Sequence, residues 1–297
     1  MWRFIALIVF VVPQNLAAAF EAGDQLVAIK PADMKTITGS TYVVTTGTPV
    51  TVRAADGDKL KVAAPRVGWI DASTVIPVKE AEAYFSSQAD KGADKAEALL
   101  ARGKVRFNQA GLDDDKVKAA IADLDESIRL QPTSEAHTYR GFAYKRLGDK
   151  DKAIAEFDEA IRLNPKEALA WRVRGATYAA KANYAKQLAD YTESIRVDPE
   201  NPDSRHHRVV LRSACVDEKY RDGKQAIDDA TKACEMSEWE NYLYLSGLAM
   251  AYAESGDFDA AVKWQQKVVY HYKSPPASYV SNLELYKQHK PFRMTWK

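Results

Sequence analysis

A motif of about 34 residues recurs through the middle of the chain and ends each time on a proline. Pro132, Pro165 and Pro199 lie 33 (165 − 132) and 34 (199 − 165) residues apart, after Leu-Gln, Leu-Asn and Val-Asp. Between these prolines, apolar residues recur at the spacing of helices. A period near 34 with helical spacing predicts helix–turn–helix hairpins stacked side by side, because one hairpin cannot bury its apolar faces alone.

Small and large residues alternate at fixed places in three units. The first helix of each unit carries an Arg-Gly pair, and the second helix carries a small or polar residue, a large one and another small one. The Arg-Gly pairs are Arg102-Gly103, Arg140-Gly141 and Arg174-Gly175, and the second-helix sets are Ala120, Leu124 and Ser127, then Ala153, Phe157 and Ala160, then Gln187, Tyr191 and Ser194. We interpret the glycine as the point where two helices of a hairpin approach closely. The proline ends the second helix, which it cannot continue.

Two further units, at 202–236 and 242–270, are divergent copies of this pattern. Val209 stands where the other units have glycine, and an insertion precedes Gly223. Residues 79–91 show second-helix spacing without a first helix, and 277–289 predict a last helix. Repeat arrays need caps at both ends. We therefore expect a capping helix and linker at 79–95, an array of about five hairpins at 96–271, and a capping helix and tail at 272–297.

Residues 22–78 predict a small β-domain. Five short runs rich in β-branched residues are separated by Gly, Ser and Asp, as in strands joined by tight turns. The runs are Leu26–Ile29, Tyr42–Val44, Pro49–Val52, Leu60–Val62 and Gly68–Ile70. This number of short strands in so short a segment is typical of a small β-barrel.

The first 19 residues resemble a targeting segment. Trp2 and Arg3 precede an apolar run over 4–12, and Ala17-Ala18-Ala19 follows. This order predicts a signal peptide at 1–19 cleaved near Ala19, so we expect an exported protein, periplasmic or extracellular. The run is shorter than the roughly 20 apolar residues that cross a bilayer, and an uncleaved membrane anchor is the alternative. We expect no integral membrane segment after cleavage.

Charge and motifs argue against several function classes. Lys and Arg total 42 against 41 Asp and Glu, which gives no basic surplus for nucleic acid. The sequence has no Gly-rich phosphate loop, no Cys-x-x-Cys, no His-Glu-x-x-His and no Gly-x-Ser-x-Gly. His206 and His207 are adjacent and point about 100° apart on a helix, so they cannot share one metal. We expect no catalytic residues, no cofactor and no metal.

The two cysteines, Cys215 and Cys234, leave two alternatives open. An even pair in an exported chain suggests a disulfide. Their places on two antiparallel helices could hold them about 15 Å apart, too far for a bond. The loop 216–222 is long enough to close that gap. The alternatives are a disulfide or two small buried thiols.

Arginine recurs at one equivalent position in four units, and so does an acid. The arginines are Arg102, Arg140, Arg174 and Arg208, and the acids are Asp123, Glu156, Asp190 and Asp229. One interpretation is a basic ladder for an acidic ligand, and the other is a set of structural ion pairs. Because both signs recur together, we favour the ion pairs.

The layout Arg-Gly…Tyr…Ala…Phe…Ala…Asn-Pro resembles the tetratricopeptide repeat family over about 96–270. The segment 22–78 is similar to bacterial SH3-like domains through Gly68-Trp69-Ile70 ahead of a last strand at 74–78. The combination resembles a group of exported bacterial proteins. It implies a multidomain β + α chain, a small SH3-like β-barrel followed by an all-α solenoid. It also implies a protein–protein interaction module without assigned chemistry.

In such arrays the first helices line a concave groove that binds polypeptides. By register we expect the groove at Lys104, Phe107, Thr138, Phe142, Leu169, Arg172, His206, Val210 and Met250. Some tetratricopeptide proteins clamp a C-terminal carboxylate with Lys and Asn. Thr138 and Phe142 occupy two such positions here, which does not support that clamp.

The function that this pattern favours is a non-enzymatic scaffold. It would bind a polypeptide in the groove, with the SH3-like domain as a second contact or as a module that targets the cell wall. One alternative is a structural component of the cell envelope that self-associates as a homo-oligomer. A less favoured alternative is an envelope-directed hydrolase.

Overall fold

The computed structural model describes residues 20–36, 41–64, 66–92 and 94–294 and divides the chain into two compact units between Ala81 and Glu82. The predicted signal peptide lies outside the described residues. Among the residues described, none of the helices is long and apolar enough to cross a bilayer.

The first unit is a curled, antiparallel sheet of seven strands, a half-barrel. Its strands are β1 (Gln25–Ala28), β2 (Ala32–Thr36), β3 (Thr41–Val44), β4 (Pro49–Asp56), β5 (Lys59–Ala64), β6 (Arg66–Asp71) and β7 (Val75–Pro77). They pair in the order β3-β2-β6-β5-β4-β1-β7. The predicted Asp-Gly hairpin joins β4 to β5, with Gly57 at a φ of 57°. The sheet buries Leu26, Met34, Val52, Leu60 and Ile70 on one side.

Strand β2 is the element that the strand prediction does not contain. Its sequence, Ala-Asp-Met-Lys-Thr, has no β-branched run, and only its alternation of buried and exposed residues marks a strand. It pairs with β6 at Gly68, where an added Cβ would collide with the carbonyl oxygen of Lys35. The close approach of the two backbones therefore requires glycine at this place.

The second unit is a solenoid of helical hairpins. The helices are α1 (Val78–Lys91), α2 (Lys95–Gln109), α3 (Asp114–Leu130), α4 (Ser134–Arg146), α5 (Lys150–Leu163), α6 (Ala168–Ala179), α7 (Tyr184–Val197), α8 (Pro202–Ala214), α9 (Gly223–Met236), α10 (Tyr242–Ser255), α11 (Phe258–His271) and α12 (Ala277–Lys287). Five pairs, from α2–α3 to α10–α11, form the hairpins. We call α2, α4, α6, α8 and α10 the first helices and their partners the second helices.

Local sequence sets where the second helices begin. Asp149, Asn183 and Asp257 precede α5, α7 and α11, and each side-chain oxygen accepts a hydrogen bond from a backbone N–H of the first turn. Such caps satisfy donors that a helix N-terminus leaves open. The acidic run at 113–115 does the same, since Asp113 accepts from the N–H groups of Asp115 and Lys116. It is a helix start.

The hairpins close by matching a small residue on one helix to a large one on the other. A Cβ added to Gly141 would lie 2.8 Å from Cδ1 of Phe157, and one added to Gly175 would lie 2.9 Å from Cε1 of Tyr191. In the fourth hairpin the sizes are exchanged, because Val209 takes the glycine position and Ala230 takes the large position. The divergent fourth unit therefore keeps the volume of the hairpin core.

Candidate functional site

The recurring arginines are structural, as we favoured. Each one donates to the acid on the second helix of its own hairpin. The closest contacts are Arg102 Nη2 to Asp123 Oδ1 at 2.6 Å, Arg140 Nη2 to Glu156 Oε1 at 2.8 Å, Arg174 Nη2 to Asp190 Oδ1 at 2.8 Å and Arg208 Nε to Asp229 Oδ2 at 2.7 Å. These guanidinium groups are therefore engaged within the array.

The same arginines reach back to the preceding second helix, a contact that the sequence did not predict. Arg140 Nη1 donates to Asp125 on α3, and Arg174 Nη1 donates to Asp158 on α5. Arg102 and Arg208 reach hydroxyl groups, Ser86 Oγ on α1 and Thr192 Oγ1 on α7, in the same way. Each arginine thus joins three helices and fixes one hairpin against the previous one. We call these four residues the arginine clamps.

The predicted groove positions lie on the first helices, and the structure divides them into two groups. Lys104, Thr138 and Met250 are buried, with 0%, 0% and 7% of their surface exposed. The others are half-buried: Phe107, Phe142, Leu169, Arg172, His206 and Val210. We call the side of the array formed by the half-buried positions of the first helices the first-helix face.

The side chains of Lys104 and Thr138 are buried because each one hydrogen-bonds to a glutamate of the next hairpin. Lys104 Nζ donates to Glu135 Oε1 at 2.7 Å, and Thr138 Oγ1 donates to Glu167 Oε1 at 2.9 Å. Glu167 is largely buried, and this burial raises the pKa of its carboxyl. The prediction that Lys104 and Thr138 are open groove positions is corrected, since both side chains are used between repeats. Met250 is a buried residue of α10 and is therefore not accessible to a ligand either.

An apolar row crosses the first three first helices. Phe107 on α2 stacks on Phe142 on α4 with ring centroids 5.8 Å apart, and Phe142 meets Phe157 edge-on at 6.0 Å. Leu169 on α6 packs in the same cluster as Phe142. The register analysis placed all three on one surface, and the structure brings them together. We call Phe107, Phe142 and Leu169 the apolar row.

A pair of cations lies one helical turn along from this row. Lys145 follows Phe142 by three residues on α4, and Arg172 follows Leu169 by three residues on α6. Both side chains are half-buried and belong to successive first helices. Burial first, and then the charge of Arg172, lower the pKa of the Lys145 ammonium. We call Lys145 and Arg172 the cation pair. Sequence reasoning missed Lys145, although its spacing of seven from Thr138 was a helical signal.

The cation pair has no carboxylate partner among the described residues. Arg172 Nη1 lies 3.2 Å from His207 Nε2, and Arg172 Nε is buried without a hydrogen-bond partner. A guanidinium can only donate, so His207 Nε2 accepts and carries no proton. Burial first, and then Arg172, His206 and Lys145, lower the pKa of His207 well below its ordinary value. His207 is therefore neutral and does not add to or cancel the charge of the pair.

His206 points to a different set of partners from His207. Its ring lies 5.5 Å from that of Tyr244 on α10, and the ring of His207 stacks on Tyr191 at 5.5 Å. Tyr244 donates its hydroxyl to Asp203 at 2.6 Å. Burial lowers the pKa of His206 to about 4, against a smaller raising effect of Asp203. The described residues contain no group of three or more His, Cys, Asp and Glu that could hold a metal ion.

The two histidines should make the protein less stable in mild acid. Their pKa values are lowered by folding, so the stability they contribute is present above about pH 6.5, where unfolded histidine is also neutral. This stability is lost as the pH falls toward about 4, because His206 is protonated in the unfolded chain while it is still neutral in the folded chain. We expect the free energy of unfolding to fall by roughly 1–2 kcal/mol through His206 between about pH 7 and about pH 5, and His207 to add to this fall.

Urea denaturation at both pH values measures this loss. The chain with His206→Gln and His207→Gln should show a clearly flatter pH dependence than the unmodified chain, because glutamine does not titrate. Asp203, Tyr191, Tyr244, Lys145 and Arg172 surround the histidines in both proteins, so their effects cancel in the comparison. Equal pH dependences would show that the histidines are accessible to protons in the folded state.

The two cysteines are free and buried in different clusters. Cys215 packs with Tyr191 and Leu211, and Cys234 packs with Ala230 and Leu245. Burial raises the pKa of the Cys234 thiol to about 12. The structure thus has them as two buried thiols rather than as a disulfide.

Two segments of the helical unit match family models. Residues 134–167, which contain the α4–α5 hairpin, match the tetratricopeptide repeat, and so do residues 244–270 in the fifth hairpin. The first and third hairpins carry the arginine, the glycine and the N-cap at the same places, and the fourth keeps the arginine and the cap but has Val209 for the glycine. No curated protein sequence matches the chain significantly.

Solved structures share the fold of the helical unit. A crystal structure of the APC/C hetero-tetramer Cut9–Hcn1 covers 71% of this chain at 18% identity with a TM-score of 0.58, and this chain spans 40% of that one. A tetratricopeptide repeat protein from Parabacteroides merdae covers 72% of this chain, with 81% of its own length, at 18% identity and a TM-score of 0.50. Two of the five hairpins are therefore tetratricopeptide repeats, and the helical unit has the solenoid fold of solved tetratricopeptide repeat structures.

Proposed function

We propose that this protein is a non-enzymatic scaffold that binds a polypeptide on the first-helix face of its repeats. The observation that supports it most is the contrast between the two sides of the first helices. The arginine clamps use their guanidinium groups within the array, whereas the apolar row and the cation pair stay half-buried at its surface. Half-buried aromatic rings beside unpaired cations are typical of polypeptide-binding sites.

The half-barrel unit and the location of the protein are part of the same proposal. We propose that residues 22–78 form an SH3-like domain that serves as a second contact or targets the cell wall. We also propose that 1–19 is a signal peptide cleaved near Ala19 and that the protein is exported. The strand order and the pattern of the first 20 residues support these proposals.

Photocrosslinking at two positions tests the binding surface. We expect p-benzoylphenylalanine at Phe107, on the first-helix face, to form adducts with a partner protein in an extract of the source cells. The same unnatural amino acid in place of Arg162, on the exposed side of α5, should form few adducts or none. Arg172→Glu added to the Phe107 probe should remove the adducts while the far-ultraviolet circular dichroism stays unchanged. Equal adducts at both positions would place the binding surface elsewhere.

The mass of the adduct also tests the alternative of self-association. An adduct of twice the mass of the chain would show that the partner is a second copy, as expected for a structural component of the envelope. Sedimentation velocity of the purified chain should then show the same dimer. A heteromeric adduct from a chain that sediments as a monomer supports the scaffold.

A further inference from the structure

The cation pair differs from the arginine clamps in its lack of carboxylate partners among the described residues. Every arginine clamp holds at least one carboxylate, and Arg174, two residues from Arg172 on the same helix, holds two. Arg172 and Lys145 hold none among the described residues. The buried Nε–H of Arg172 has no acceptor, as is also true of Arg140 and Arg212, but those two arginines hold carboxylates through their other nitrogens. Buried donors without partners destabilise a protein, so a ligand that supplies the acceptor gains free energy at this place.

Asp203 on α8 is engaged with other groups. It accepts a hydrogen bond from the hydroxyl of Tyr244, and its charge acts on His206. His207, which contacts Arg172, is neutral and uses its Nε2 lone pair for that contact. The two positive charges are therefore uncompensated in a half-buried setting, where electrostatic attraction is stronger than in water.

The apolar row lies on the same helices as the cation pair, so a ligand that reaches the cations also contacts apolar side chains. Phe142 and Leu169 pack against the same buried cluster, and the residue three places later on each helix belongs to the cation pair. Since α4 and α6 are the first helices of successive hairpins, they run in the same direction, and the cation pair lies about 4.5 Å from the apolar row along the helix axes. An apolar side chain can lie on Phe142 while a neighbouring carboxylate reaches Arg172. Residues two apart in an extended segment, or three to four apart in a helix, have such a spacing.

We propose that Lys145 and Arg172, together with the apolar row, bind the side-chain carboxylates of an acidic polypeptide segment in which Asp or Glu alternates with apolar residues. This inference rests on the proposed function and names the class of partner. It differs from recognition of a chain end, because the acceptor is a side chain and the segment continues on both sides. A planar guanidinium suits a carboxylate with two oxygens, and Lys145 adds a second charge.

Fluorescence anisotropy with defined peptides tests the inference on the full chain. The probe is a fluorescein-labelled peptide of repeated Gly-Leu-Ser-Glu, amidated at its C-terminus, in which Leu and Glu are two residues apart. The comparison probes are the same peptide with Gln for Glu, and the Gln peptide with a free C-terminal carboxylate. We expect the Glu peptide to bind at least tenfold more tightly than the Gln peptide, and its binding to weaken as salt is added.

Variants show whether the cation pair is responsible. Arg172→Gln and Lys145→Met should each weaken binding of the Glu peptide by about tenfold or more, while Arg162→Gln, the same change of charge on the exposed side of α5, should leave it unchanged. Thermal melting checks that the variants fold. Lys145→Met should not lower the melting temperature, because it removes a partly desolvated charge.

The outcomes separate this inference from the proposed function. Equal binding of the Glu and Gln peptides, lost in Phe107→Ser but kept in Arg172→Gln, would overturn the acidic specificity and leave a polypeptide-binding face. Binding that requires the free C-terminal carboxylate would also overturn it. No binding of any probe would overturn the inference, while crosslinking from Phe107 would still decide the proposed function.

Discussion

Gly141→Val destabilises the protein by about 3 kcal/mol, and adding Phe157→Ala restores most of what the glycine substitution costs. A Cβ at position 141 would already lie 2.8 Å from Cδ1 of Phe157, and valine adds two methyl groups in a hairpin core without free space. Guanidinium denaturation of the full chain, followed by far-ultraviolet circular dichroism, measures the change.

The fourth hairpin explains why the second substitution should help. It has Val209 and Ala230 at these two positions, so the protein itself shows that the exchanged sizes fit. Phe157→Ala alone should cost about 3–5 kcal/mol, because it leaves a cavity. The double variant should lose less stability than either single variant, and the coupling should be at least about 2 kcal/mol. Losses that simply add would show that the two side chains do not share one space.

Arg174→Met should cost about 2–4 kcal/mol, whereas Arg162→Met should leave the stability nearly unchanged. Arg174 has 16% of its side chain exposed and joins Asp190 in its own hairpin to Asp158 in the previous one. Its loss leaves Asp190, 5% exposed, without a counter-charge. Arg162 is 67% exposed and pairs only with Glu159 along α5, where solvent screens the interaction.

Both variants replace an arginine in a helix with methionine, so the change in helix propensity is matched. The unfolding midpoint in urea measures the difference between them. If both variants unfolded at the same denaturant concentration, the arginine clamps would be surface ion pairs without a role in stacking the hairpins. The clamp at Arg140 offers an independent repeat of the experiment, since it has the same pair of contacts at Asp125 and Glu156.

The repeats could be predicted from the sequence because periodic packing repeats residue types. Gly141 and Phe157 recur as Gly175 and Tyr191, and the recurring arginines and acids indicated ion pairs. The contact of Arg174 with the preceding hairpin could not be predicted, because Asp158 recurs only as Asp125 and is replaced by Thr192 and Ser86 at the other clamps. Repeat spacing gives the order of hairpins but not which side chain crosses between them.

The burial of the residues predicted for the groove could not be read from the sequence, for a related reason. Register places a residue on a helix face but does not show how far a long side chain reaches. Lys104 faces the expected side, but its ammonium reaches Glu135 and is fully buried, while Lys145 stays half-buried near Arg172. Strand β2 was missed because its residues have low strand propensity and only their alternation, with Met34 buried, fits a strand.

Hydrogen–deuterium exchange of the full chain, with and without the Gly-Leu-Ser-Glu peptide, tests most directly whether the first-helix face is the binding surface. The account predicts that bound peptide slows exchange in α4 and α6, around Phe142 and Arg172, and leaves the exposed turns of α5 and α7 unchanged. Slower exchange confined to the second helices or to the strand unit would contradict it.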